Sequence, residues 1–154
     1  LQIVSSVIRV NEERPAKMVD KIVESAGGDV SGKLVALLGL TFKPNTDDLR
    51  ESPAIEILDR LIGLGARVRV YDPIGMEGAA QTERSGVVYC TDEYDACDGA
   101  DMLVIATEWN QFRGLDLARI AERLGDPLVV DLRNVFEPAK MKKLGFRYTG
   151  VGRK

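Results

Sequence analysis

The feature that most constrains this chain is the stretch from Leu34 to Pro53, which reads LVALLGL, then TFKPNTDDLRE, then SPA. Leu34 to Leu38 is a short apolar run of the kind a buried parallel strand shows, and Gly39 ends it. Ser52-Pro53 opens a helix, because Ser is a good N-cap and Pro is pre-organised for the first helical position. Between them lies a loop of about a dozen residues, where strand-to-helix loops usually take about 2–6. Open α/β sheets bind ligands at the carboxyl ends of their parallel strands. A long polar loop there, carrying Lys43 and Arg50 among Asn45, Asp47, Asp48 and Glu51, is a candidate binding loop.

The rest of the chain alternates strand and helix. Asn11 to Ala26 reads as a helix with Pro15 near its start, Met18, Val19, Ile22 and Val23 as its apolar stripe, and Gly27-Gly28-Asp29 as its end. Leu1 to Val10 is apolar and β-branched and fits either a strand or the tail of a helix. After the loop, Pro53 to Leu64 is a helix with Ile55, Leu58, Leu61 and Ile62 facing inward, and Arg67 to Tyr71 is a strand ended by Asp72-Pro73. Strand, helix and strand make a βαβ unit, whose crossover is right-handed. Ile74 to Ser85 reads as a loop with one helical turn at most, and Gly86 to Cys90 as the third strand. Further strands are expected at Met102 to Ala106, Leu128 to Asp131 and Phe146 to Val151, with helices at Asp92 to Asp98, Leu117 to Leu124 and Glu137 to Leu144. The alternation predicts an α/β fold, a doubly wound, Rossmann-like parallel sheet of about six strands flanked by helices.

At 154 residues the chain fits one domain. A net charge of −3 argues against a nucleic-acid or anionic-membrane partner, so any anionic ligand has to be held by a few placed cations. No apolar run approaches the roughly 18 residues of a membrane span, and no signal-peptide pattern is present, so a soluble, cytoplasmic protein is expected. The absence of histidine removes Ser-His-Asp triads, Cys-His pairs and the usual zinc sets. Cys90 and Cys97 make neither a disulfide framework nor a metal site and read as small, partly buried hydrophobes. Leu1 in place of an initiator Met suggests a piece of something longer.

A full dinucleotide site is not expected, because the G-x-G-x-x-G fingerprint is missing. Only Gly39 stands at the first turn, and Phe42, Lys43 and Pro44 follow. Asp72 stands where a ribose-binding acid would, yet an Asp-Pro pair also simply ends a strand. Three segments fall at the carboxyl ends of strands that neighbour one another in a doubly wound sheet: Thr41 to Glu51, Thr107 to Trp109, and Leu132 to Asn134. Converging on one rim, they would gather Lys43, Arg50 and Arg133 around a space suited to a diphosphate or a polyhydroxylated sugar. Nearby carboxylates could instead hold each cation in an ordinary surface pair. Phe42 reads as a core residue, which periodicity favours, or as a platform for a base or sugar ring; Trp109 is left between packing under the rim and forming its wall, and Ser52 reads as a cap.

GLTFKPNTDDLRESPA, with VYDP at Val70 to Pro73, IATEW at Ile105 to Trp109 and DLRN at Asp131 to Asn134, resembles the C-terminal domain of the UDP-glucose/GDP-mannose dehydrogenase family over nearly the whole chain. The resemblance is greatest to members that oxidise UDP-glucose. It implies that Phe42, Lys43 and Arg133 contact the nucleotide sugar, and that Arg50 reaches NAD bound mainly by another domain. It also implies a helical lead-in over residues 1–30, a UDP-sugar-binding domain over residues 31–154, and a homo-oligomeric parent chain. The family reaction is a two-step, four-electron oxidation of a sugar C6 alcohol to a carboxylate, consuming two NAD. Its cysteine nucleophile lies in a motif that neither Cys90 nor Cys97 matches, so no catalytic residue is expected here and the chain should be inactive alone. Close alternatives are GDP-mannose or UDP-N-acetyl-hexosamine oxidation, or a non-catalytic nucleotide-sugar-binding α/β module. A response-regulator-like domain fits poorly, since no isolated acceptor Asp ends the third strand.

Overall fold

The computed structural model describes residues 2–152, and side chains from residue 14 onward. The chain opens with α1, Gln2–Ser25, which runs through Pro15 instead of starting near it. Pro15 therefore costs a helix hydrogen bond and does not mark a helix start. The helical reading of Leu1 to Val10 holds from Gln2 on, and Leu1 lies outside the described residues. Six strands and six further helices follow: β1 (Leu34–Leu38), α2 (Pro53–Gly63), β2 (Arg67–Tyr71), α3 (Met76–Ala80), β3 (Val87–Tyr89), α4 (Glu93–Cys97), β4 (Met102–Ile105), α5 (Asn110–Arg113), α6 (Leu117–Arg123), β5 (Leu128–Asp131), α7 (Pro138–Lys143) and β6 (Arg147–Gly150).

All paired strands are parallel, in the order β3-β2-β1-β4-β5-β6. The sheet is doubly wound, as the alternation predicts. Its central strands are buried along almost their whole length because helices cover both faces. Alternation along β1 divides the core in two. Val35 and Leu37 face α1 and α2, while Ala36 and Leu38 face the helices on the other side. Val19 and Ile22 of α1 share the first cluster with Ile57, Leu58 and Leu61 of α2, so the second half of α1 is part of the core. Full burial of a side chain such as Ile22 contributes about 1.5–3 kcal/mol. No described helix is long and apolar enough to cross a membrane.

The inward stripe of α2 differs from the sequence expectation. Ala54, Ile57, Leu58 and Leu61 are buried, whereas Ile55 and Ile62 are only partly so. The stripe turns toward the sheet by one position, leaving Ile55 beside the loop. The short α5 was not anticipated, because a single turn carries too little periodicity to read.

Order reverses between β1 and β4, and the loops there meet at close range. Gly39 follows β1 with φ 98°, and its N–H donates to the Tyr71 carbonyl at 2.9 Å. A Cβ at Gly39 would come within 2.5 Å of the Thr107 side chain. Gly39→Ala is therefore expected to lose about 2–4 kcal/mol, from the left-handed backbone and the clash together. Urea unfolding checks this; a loss under about 1 kcal/mol would mean that the two loops separate easily.

Candidate functional site

The β1–α2 loop is a closed structure. The Phe42 N–H donates to the Asp48 carbonyl at 2.8 Å, and Asn45 and Glu51 take positive φ to bring the chain round. Inside, Leu49 packs partly buried against the core. Outside, Phe42 stands 46% exposed, with the Lys43 ammonium 5.6 Å from its ring centre. Of the two readings of Phe42, core or ring platform, the exposure excludes the core one that periodicity favours. Ser52 sits at the N-cap position of α2, but its hydroxyl donates to the Leu40 carbonyl at 2.6 Å and caps nothing.

Asp72, buried at the end of β2, holds the loop base. Its Oδ2 accepts from the N–H groups of Leu40 (2.7 Å) and Thr41 (3.2 Å) and from the Trp109 indole (3.3 Å). Its Oδ1 accepts from the N–H groups of Ile74 (2.9 Å) and Gly75 (2.8 Å). The position that mimics a ribose-binding acid is therefore fully occupied by the protein's own donors. Trp109 packs under the rim and does not form its wall.

On the other side of the rim, Asp131 ends β5 with no exposure. It accepts from the Arg133 N–H at 3.2 Å, the Phe136 N–H at 2.9 Å and the Tyr148 hydroxyl at 2.7 Å. The Arg133 guanidinium meets Glu108, with Nε donating to Oε2 at 2.6 Å.

Phe42, Lys43, Glu108 and Arg133 line one groove of about 1170 Å³, bordered by Ile55 of α2 and by Arg14 of α1. Two of the three predicted cations are thus brought together. Arg50 is not: its side chain is 90% exposed and pairs with Asp48 at 3.1 Å, away from the groove. Arg14 had no signal in the sequence, since its place depends on how α1 crosses α2. Four carboxylates, Glu51, Glu56, Asp59 and Glu108, also line the groove against the three cations Arg14, Lys43 and Arg133. Glu56 is paired with Arg60 and Asp59 with Arg84. Among the described residues, no carboxylate pairs with Lys43.

Residues 36–138 match the model of the UDP-glucose/GDP-mannose dehydrogenase family, UDP binding domain. The chain belongs to this family. It is 47% identical over 153 residues to the UDP-glucose 6-dehydrogenase of Rhizobium meliloti, covering 99% of this chain and 35% of that protein. It is 42% identical to the UDP-glucose 6-dehydrogenase of Bacillus subtilis, covering 99% of this chain and 34% of that one. A solved UDP-glucose dehydrogenase from Pyrobaculum islandicum superposes with a TM-score of 0.79 at 36% identity, over 99% of this chain and 33% of that structure. The chain spans about a third of the length of the curated relatives it matches.

Within this family domain, the residues do not fit NAD at the Rossmann position. Thr107 fills the space beside Gly39 that a pyrophosphate needs, and Asp72 has no free oxygen for a ribose. Nor do the cysteines supply a nucleophile. Both are buried and free, and burial pushes the Cys97 thiol up to about 12 and the Cys90 thiol upward as well.

Behind the rim, Glu93 is buried and accepts from the Gln111 amide at 2.8 Å. Burial pushes its carboxyl above the ordinary range; the Gln111 bond offsets part of this and the Asp92 charge adds to it. A carboxyl with a raised folded pKa holds its proton more tightly when folded. Its contribution is present below the ordinary value of 4.5 and is lost as pH rises through the folded value. Glu93→Gln keeps an acceptor for Gln111 but cannot ionise, so its stability relative to the unaltered chain should rise as pH climbs above 4.5. Thermal unfolding across pH checks this, and a difference that shrinks with pH would reverse the sign. Asp72→Ala strands several buried donors and should cost about 3 kcal/mol or more. Loss of the indole bond should show in Trp109 fluorescence; an unchanged spectrum with full stability would contradict the role given to Asp72.

Proposed function

We propose that the chain is the nucleotide-sugar-binding part of an NAD-dependent, cytoplasmic dehydrogenase that oxidises the C6 alcohol of UDP-glucose to UDP-glucuronate. Phe42, Lys43 and Arg133 hold the UDP-sugar. Residues 1–30 serve as the lead-in and residues 31–154 as the binding domain. The observation that carries this reading is the shared groove: an exposed aromatic ring, an ammonium with no carboxylate partner among the described residues, and a guanidinium reach it from two loops at the carboxyl ends of the strands. The names of the similar proteins, UDP-glucose 6-dehydrogenases from several bacteria, favour UDP-glucose.

The chain's own chemistry is binding and orientation. Lys43 offers a point charge to a phosphoryl oxygen, Arg133 offers planar N–H donors to the ligand's hydroxyls, and Phe42 offers a flat face to a ring. Buried Asp72 and Asp131 fix the backbones that carry them, so little order has to be gained on binding. NAD supplies the hydride acceptor and is held by a domain of the parent dehydrogenase. Arg50, 90% exposed at its side chain and paired with Asp48, is the residue that reaches it. The parent chain is a homo-oligomer.

Calorimetry of the 154-residue chain with UDP-glucose, UDP-N-acetylglucosamine, UDP-N-acetylmannosamine and GDP-mannose tests the binding. UDP-glucose should bind best. Lys43→Ala and Arg133→Ala should each weaken it by about 10- to 150-fold, the range of a lost charge-assisted contact worth about 1.5–3 kcal/mol. In the assembled dehydrogenase, UDP-glucose should yield two NADH per sugar. Turnover only with another nucleotide sugar would replace the substrate, and no binding of any of the four would refute the reading.

A further inference from the structure

We propose that Glu108 is a specificity-determining residue of the groove: it masks the charge of Arg133 and accepts a hydrogen bond from a hydroxyl of the ligand, so that the pair reads an uncharged diol and not a phosphate. The hydroxyl contact rests on the nucleotide-sugar reading above; the masking does not.

The geometry is specific. Both Nε and Nη2 of Arg133 engage one oxygen of Glu108, Oε2. Among the described residues the other oxygen, Oε1, accepts no hydrogen bond, and Glu108 lines the groove about one-third exposed. Glu108 cannot easily move aside, because both its neighbours are buried and tied down. Thr107 donates to the Thr41 carbonyl at 3.1 Å, and Trp109 donates to Asp72 at 3.3 Å. Arg133 is equally fixed at its backbone by Asp131.

An arginine already satisfied by a carboxylate is a poor phosphate ligand, because a phosphate must either displace the carboxylate or sit beside a like charge. A carboxylate next to a guanidinium is well suited to a sugar diol: the free oxygen accepts from one hydroxyl, and the remaining guanidinium N–H donates to the next. The other groove cation brought in by the loop, Lys43, has no carboxylate partner among the described residues and keeps its charge for phosphoryl oxygens. Phosphate recognition and hydroxyl recognition thus fall to different ends of one groove.

The test is calorimetric titration of the unaltered chain, Glu108→Gln and the double variant Glu108→Gln/Arg133→Gln with UDP-glucose, UDP and inorganic pyrophosphate. Glu108→Gln keeps the shape and removes the charge, and the loss of a half-exposed pair should leave the fold intact. UDP-glucose should bind Glu108→Gln about 10-fold more weakly, as for a lost hydrogen bond to a charged acceptor. Pyrophosphate should bind about 5-fold more tightly or better once Arg133 is unmasked, and this gain should vanish in the double variant. A uniform change across all three ligands, or none, overturns the proposal. If UDP-glucose fails to bind the unaltered chain, the hydroxyl contact falls with the nucleotide-sugar reading. The pyrophosphate comparison then decides the masking alone, and an unchanged pyrophosphate affinity overturns that too.

Discussion

The bonds of one buried carboxylate hold this sheet edge in shape. Asp72 is almost wholly removed from water, and a buried charge is tolerable only when its lone pairs are filled. Five N–H donors fill them, and they come from three separate segments: the start of the β1–α2 loop, the turn before α3, and the indole at the head of α5. None of these segments is held by strand pairing, since all lie beyond the strand ends. The carboxylate replaces the missing ladder and makes three loops one body. Thr107 adds a second tie by donating to the Thr41 carbonyl from within the same junction.

Asp131 repeats the device three strands away. It too is buried at a strand end, and it collects the N–H groups of Arg133 and Phe136 and the Tyr148 hydroxyl. The two carboxylates bracket the rim, and the exposed groove residues follow each within a few positions of a fixed backbone. Phe42 and Lys43 come directly after the pinned Leu40 and Thr41, and Arg133 has its own N–H pinned. Exposed, chemically active tips on over-determined bases are the arrangement a binding site needs.

Much of this was legible in the sequence. Short apolar runs marked the strands, Ser-Pro marked the start of α2, and the excess length of one loop marked the candidate site. What could not be read depends on three-dimensional closure. Periodicity favoured the core for Phe42, but it sits in a loop closed by its own N–H to the Asp48 carbonyl, with its ring outside. Ser52 had the right identity and position for a cap, yet its hydroxyl is turned to donate to the Leu40 carbonyl and accepts from no helix N–H. Glu108 and Arg133 are far apart in the chain and meet only because β4 and β5 are adjacent. Arg14 enters through the crossing of α1 over α2, which no local pattern encodes.

The same contacts leave the Rossmann crevice no room for a dinucleotide. A dinucleotide needs backbone close to its pyrophosphate and a free acid for its ribose. Here the one glycine available, Gly39, is packed against Thr107, and the acid, Asp72, has all its capacity spent inward. Opening either would break the junction that orders the long loop. The open space lies further out, in the groove between that loop and the helices on its flank, where Phe42, Lys43 and Arg133 stand exposed. The crevice keeps this end of the sheet rigid, and the length of the loop is what brings its exposed side chains out to the groove.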